Sequence, residues 1–119
     1  NFIWMNVNKF GRNTGKVKPE QVVLDDEVHY YNLLAEELEI LQPDVCLFFT
    51  GPNYDEDIRL KISDIEYHEF AGYSVRNVAR LRSKHLPKHS YRTYHPGYDN
   101  RISETYIGIL NAILQDCKR

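Results

Sequence analysis

One run of eleven residues near the end of the chain, YRTYHPGYDNR (91–101), carries the side chains best suited to chemistry. It combines three tyrosines and two arginines with His95, Pro96 and Gly97, which is too polar for a core strand and too aromatic for an idle loop. An imidazole can donate a hydrogen bond to a group that is gaining charge, and flanking rings can hold a planar ligand. A neutral imidazole donates from one nitrogen only, so His95 would need a second partner to set its tautomer. The run therefore predicts a ligand site centred on His95.

Two further polar segments follow apolar runs of strand length. NVNK (6–9) closes one such run, and TGPNY (50–54) follows the apolar VCLFF. In parallel sheets the ligand crevice lies beyond the carboxyl ends of the strands. We therefore expect Asn6, the turn that contains Gly51 and Tyr54, and His95 to line one cleft.

The elements that must position these residues follow from the apolar pattern. Continuous or alternating apolar runs predict strands, whereas apolar residues recurring every three or four positions predict helices. The expected order is strand 2–7, helix 28–41, strand 45–51, a helix beginning near 55, strand 62–70, strand 90–95 and helix 102–117. Residues 75–86 are expected to be a short basic helix or an irregular segment. The alternation predicts an α/β fold with three layers, α/β/α, and a short, mainly parallel sheet.

Length and composition bound the possible functions. The chain has 119 residues, which suits one domain spanning 1–119, and a net charge of -2, which gives no overall basic field for nucleic acid. A local basic segment, 76–92, is nevertheless expected to contact phosphates, with Arg82 and Lys84 among its cations. The sequence contains no apolar span of membrane length, so we expect a soluble, cytoplasmic protein without a membrane partner. Because the chain opens directly into an apparent strand without an initiator methionine, we expect it to be the C-terminal two-thirds of a longer chain.

The sequence shows no pattern typical of a metal site, a disulfide or an α/β-hydrolase nucleophile. The histidines outside the 91–101 run have no metal-ligand spacing, so we expect neither a metal nor a cofactor. Cys46 and Cys117 lie far apart, the first within an apolar run, which favours two reduced thiols over a disulfide. Neither Ser90 nor Cys46 lies in the G-x-S-x-G context of an α/β-hydrolase nucleophile, so hydrolase or transferase activity of that type is disfavoured.

Three short segments, taken in order, resemble the motifs of the uracil-DNA glycosylase superfamily. The strand end 6–9 is similar to the family's N-x-x-K segment, and 38–51 resembles its helix-proline-strand-glycine segment. Residues 93–97 (TYHPG) resemble its late T-x-H-P motif. The family's first motif, a glycine-rich loop whose acidic residue positions water, would precede the first residue. Phe10 stands where some branches place an iron–sulfur cysteine, and Gly97-Tyr98 replaces the small-residue run that usually follows the HP pair.

The resemblance implies a role for each matching residue. Asn6 would read the edge of a flipped pyrimidine, and His95 would donate to the base oxygen where charge develops as the glycosidic bond breaks. The residues after the HP pair, above all Tyr98 and Arg101, would fill the space left by the extruded base, and Lys9 would contact DNA. The expected partner is DNA that contains uracil or another damaged base.

Two functions remain open from the sequence. The first is a uracil-DNA glycosylase-like repair enzyme that cleaves an N-glycosidic bond. The second is a catalytically inactive nucleic-acid or nucleotide-binding domain of the same fold. A glycine-rich turn with Asp or Glu upstream of Asn1 would favour the enzyme.

Overall fold

The computed structural model describes residues 3–5, 7, 33–97 and 103–119. In chain order, these residues form three α-helices, four strands and one short 3₁₀ helix: α1 (Leu34–Leu41), β1 (Val45–Phe48), the 3₁₀ helix (Pro52–Tyr54), α2 (Asp55–Lys61), β2 (Glu66–His68), β3 (Val78–Arg82), β4 (His89–Thr93) and α3 (Glu104–Cys117). The fold is α/β, as expected. Strands were predicted at β1 and β4 and helices at all three positions, and these predictions are confirmed within the described residues.

The four strands form one mixed sheet in the order β1-β4-β3-β2. β1 runs parallel to β4, whereas β3 is antiparallel to both β4 and β2. The expectation of a mainly parallel sheet is therefore wrong for these strands. The reason is the short connection 83–88 between β3 and β4, because a parallel pairing would need a crossover of a dozen or more residues.

Residues 75–86 hold a strand rather than the basic helix or irregular segment that was expected. β3 buries Val78, Ala79 and Leu81, while Arg80 is half-buried and Arg82 exposed. Arg80 and Arg82 lie on one face of the strand. Because these two charges interrupt the apolar residues in the sequence, the segment did not have the pattern of a buried strand. The predicted strand 62–70 is also shorter than expected, since β2 covers only Glu66–His68.

The predicted strand 2–7 is not present in its described part, because residues 3–5 and 7 lie outside the sheet. Contacts with side chains fix this segment instead. Met5 and Val7 pack against the apolar core, and the Lys61 ammonium donates to the Val7 carbonyl.

Two apolar clusters form the core. The first joins α1 and α2 to the sheet through Leu34, Leu38, Phe48, Ile58, Ile62, Ile65, Ala79 and Leu81. The second joins α3 to the sheet through Phe70, Val78, Tyr91, Ile109 and Ile113. Successive residues of a strand point to opposite faces, so Val78 and Ala79 enter different clusters. The Ser103 hydroxyl caps α3 by accepting the Tyr106 N–H at 3.1 Å.

Polar side chains are buried along the central strand β4. Ser90, Arg92 and Thr93 are at most 1% exposed, and each is hydrogen-bonded to a neighbouring loop or helix. The Ser90 hydroxyl donates to the Pro87 carbonyl at 2.7 Å, and the Thr93 hydroxyl donates to the Asn77 carbonyl at 2.8 Å. Because buried polar groups are costly unless they are paired, these bonds fix the loops against the end of β4.

Within the part of the chain that the structure describes, no helix is both long enough and apolar enough to cross a bilayer.

Candidate functional site

The parallel pairing of β1 and β4 brings their carboxyl ends together. Phe48 pairs with Arg92 at the end of the ladder, and just beyond it the Gly51 N–H donates to the Thr93 carbonyl at 3.0 Å. The turn after β1 and the Tyr94–Gly97 segment after β4 therefore lie side by side. This is the edge at which the sequence predicts a ligand site.

Gly51 has a backbone conformation that is nearly restricted to glycine. Its φ is 67° and its ψ is 173°. A side chain there would also meet the Tyr94 ring, because an added Cβ would lie 3.2 Å from a Tyr94 ring carbon. The turn packs directly on Tyr94, the residue before His95, so the two segments position each other.

His95 is exposed and lies among aromatic rings. The Trp4 ring stands across it at 6.0 Å between centroids and 88° between planes, and the Phe49 ring stands across it at 6.5 Å and 77°. Trp4 is itself 59% exposed. An imidazole between two aromatic rings suits a planar ligand that is held by stacking and by hydrogen bonds to its edge.

One hydrogen bond sets the tautomer of a neutral His95. The Gly97 N–H donates to Nδ1 at 2.9 Å, so Nδ1 must carry a lone pair and Nε2 carries the proton. Among the described residues, Nε2 makes no hydrogen bond. His95 therefore presents an N–H donor at the exposed edge of its ring, aimed by a backbone contact two residues away.

Further hydrogen bonds fix the turn after β1 and the Tyr94–Gly97 segment to the rest of the fold. The Tyr106 hydroxyl donates to the Tyr94 carbonyl at 2.8 Å, and burial raises the pKa of this phenol, which keeps it a donor. Arg92 binds both carboxylate oxygens of Asp55, at 2.9 Å each, and also donates to the Arg76 carbonyl at 3.2 Å. Burial raises the pKa of Asp55 by more than the Arg92 guanidinium lowers it. Arg92 thus links β4 to the start of α2 and to the loop before β3.

Of the site residues that the sequence indicates, the structure brings together His95, Gly51 and the adjoining 3₁₀ turn that ends at Tyr54. Four others, Asn6, Lys9, Tyr98 and Arg101, lie outside the described residues. Trp4, two residues before Asn6 in the chain, does contact the His95 ring.

The basic segment is not brought to this edge as a whole. Arg80 pairs with Tyr91 across the ladder, so Arg82 lies beside His89, at the opposite end of β4 from His95. In the loop that follows Arg82, the backbone N–H of Lys84 donates to the Asp64 carboxylate at 2.9 Å. Arg80 forms a salt bridge with Asp116 at 2.7 Å, against α3. Among the exposed cations of segment 76–92, Arg76, two residues before the partner of Thr93, is the one nearest this edge in the register.

Three residues of this region were missed from the sequence. Trp4 and Phe49 were assigned to strands as β-formers, and the alternation of the 90–95 run gave no sign that Arg92 is buried. The signal for Trp4 was its rarity, since it is the only tryptophan of the chain.

The described residues at this edge do not favour a metal site or a reactive thiol. No group of three His, Cys, Asp or Glu side chains among the described residues is placed to hold a metal ion. Both cysteines are free, which confirms the expectation of two thiols. Burial raises the pKa of Cys46 to about 11, so it is a poor nucleophile near neutral pH.

The arrangement can therefore hold a planar ligand by aromatic contacts and place one neutral N–H donor against an oxygen of that ligand. No family model, no curated protein and no solved structure matches this chain.

Proposed function

We propose that this protein is a uracil-DNA glycosylase-like repair protein. A base flipped out of DNA would enter the cleft at the carboxyl ends of β1 and β4, where its N-glycosidic bond is cleaved. The apolar clusters on the two sides of β3 support the three-layer arrangement that such a fold has. The motif order in the sequence supports the same assignment.

The observation that carries the proposal is the hydrogen bond from Gly97 N–H to His95 Nδ1. When an N-glycosidic bond to uracil breaks, its electron pair moves onto the base, and negative charge spreads to the base oxygens. A neutral imidazole with its proton on Nε2 can donate to such an oxygen without having to reorganise. Removing a donor of this kind from an enzyme commonly lowers the rate about 10²- to 10³-fold.

The reaction also needs a carboxylate to position water. Asp55 follows the turn directly, but both its oxygens are bound by Arg92, so it is not suited to that role. In this proposal the carboxylate comes from another part of the full-length protein. If no such group exists, the cleft would bind a base without cleaving it, which is the alternative function.

The test is excision of uracil by the full-length protein under single-turnover conditions. His95→Ala should lower the rate by roughly 10²-fold or more, with little change in the free energy of unfolding because the side chain is exposed. His95→Gln keeps an N–H donor and should retain part of the rate. The matched control is His68→Ala, which removes another exposed histidine, from β2, an outer strand of the described sheet.

One result would refute the enzyme assignment, and another would refute the role of His95. Wild-type protein that excises uracil from neither single-stranded nor duplex DNA would refute the enzyme assignment. Equal excision rates for His95→Ala and His68→Ala would refute the role of His95.

A further inference from the structure

We infer that Trp4 is a base-stacking residue, and that the site prefers an unpaired nucleic-acid strand to a duplex. This inference deepens the proposed function and rests on its base-binding cleft, but it does not depend on excision.

The position of Trp4 follows from how its neighbours are held. Met5 packs against the first apolar cluster, and Val7 is fixed there by its own packing and by the bond from Lys61. These contacts fix the segment against the core and leave the Trp4 ring at the surface, 59% exposed and perpendicular to the His95 ring. Tryptophan is a large apolar residue that is usually well covered in folded proteins, so this exposure is unusual.

The chemistry of the surroundings favours a nucleotide strand as the occupant. An indole face stacks on any base, and aromatic platforms of this kind are the common feature of proteins that bind single strands. The 6.0 Å between the Trp4 and His95 rings is within the reach of adjacent nucleotides of one strand. Arg76 is exposed at the same edge of the sheet, where its charge can neutralise a phosphate.

The preference for an unpaired strand follows from what stacking requires. In a duplex each base is already covered on both faces by its neighbours, so the indole can stack only after a neighbour has been lost. In a single strand the faces are available at little cost. With one base at His95, the next base along the strand can lie on Trp4.

The experiment uses the fact that the chain contains one tryptophan, so that, unless residues beyond this chain add another, its fluorescence reports on position 4 alone. The full-length protein is titrated with short oligothymidylate, and then with a duplex of the same length. We expect quenching by the single strand at concentrations where the duplex has little effect. With a dye-labelled strand, Trp4→Ala should weaken binding about 5- to 150-fold, and Trp4→Phe should restore most of the affinity.

The controls separate this inference from the proposed function. Ile40→Ala removes an 81% exposed apolar side chain from the last turn of α1, before the amino end of β1, and should leave the affinity unchanged. In His95→Ala the indole platform is intact, so a saturating single strand should still quench the Trp4 fluorescence while excision falls. Quenching without excision would refute the enzyme and keep the role of Trp4.

Three outcomes would overturn the inference. They are single-strand binding without a change in fluorescence, equal affinities of wild type and Trp4→Ala, and equal or tighter binding of the duplex. Absence of any binding to either form would refute the inference and the proposed function together.

Discussion

Gly51→Ala perturbs the turn that joins β1 to the candidate site, and its cost can be worked from the structure. The conformation at φ 67° and ψ 173° lies in a region populated almost only by glycine, and holding another residue there costs about 1–3 kcal/mol. The new Cβ would also press on the Tyr94 ring at 3.2 Å, so the ring must shift by a few tenths of an ångström. Alanine lowers the entropy of the unfolded chain, which offsets roughly 0.4–1 kcal/mol. We expect a net loss of about 1–2 kcal/mol.

The functional effect should exceed what the loss of stability explains. Tyr94 precedes His95, and its backbone carbonyl accepts the Tyr106 hydroxyl, so a displacement of Tyr94 strains this bond and shifts the backbone from which the His95 side chain projects. We expect uracil excision by the folded variant to fall well below wild type.

The matched control is Gly72→Ala. Gly72 also has a positive φ, 80°, but an added Cβ there would meet no atom within 4 Å. It should lose stability through its backbone conformation alone and keep the activity of wild type. Free energies of unfolding in urea, with excision rates of the folded proteins, measure both effects. The reasoning is refuted if Gly51→Ala is as stable as wild type, or if both variants lose activity equally.

Two further predictions concern charged groups. Burial raises the pKa of Asp116, but hydrogen bonds from Tyr91 and Arg80 outweigh it and hold that pKa below its usual range. The unfolded state therefore takes up this proton first, and the stabilisation is complete at neutral pH and lost as the pH falls below about 4. Asp116→Asn should lower the free energy of unfolding by about 1–3 kcal/mol at neutral pH and flatten its acid dependence, and an unchanged pH slope in urea titrations would contradict this. Arg92→Ala removes a buried guanidinium and leaves the partly buried Asp55 without its partner, which should cost roughly 3–5 kcal/mol, with partial recovery when Asp55→Asn is added. A loss under about 1 kcal/mol in the single variant would contradict this.

Much of the fold could be predicted because its signals are local. The apolar stripe of α1 and the alternation of apolar and polar residues before Cys117 each depend on residues one or two turns apart. The prediction of a strand at 2–7 was wrong because an apolar run has two possible causes. Its backbone can pair with a neighbouring strand, or only its side chains can pack against the core. The prediction for residues 75–86 was wrong because Arg80 lies on a face of the sheet, where it pairs with Asp116. This partner is 36 positions away, and no local pattern reveals it.

The candidate site was predictable in one respect. The rule that ligands bind beyond the carboxyl ends of strands placed Gly51 and His95 at one edge, and the bond from Gly51 to the Thr93 carbonyl shows them there. The rule did not apply to Arg82 and Lys84, because residues 75–86 were not expected to form a strand. With β3 reversed, its final residues emerge at the opposite edge.

The parallel pairing of β1 with β4 has a consequence for local unfolding. β3 and β4 are joined by 6 residues (83–88), whereas 40 residues (49–88) separate the end of β1 from the start of β4. Because the entropy of closing a loop grows with the logarithm of its length, joining β1 costs about 2 kcal/mol more than forming the hairpin. β1 is also an outer strand of the described sheet, so it can detach while the hairpin persists. Each such opening breaks the bond between Gly51 and Thr93, and amide hydrogen exchange at Gly51 that is no faster than at Tyr91 would rule it out. The proposed base-binding site would then be assembled only while its longest-range strand pairing is closed.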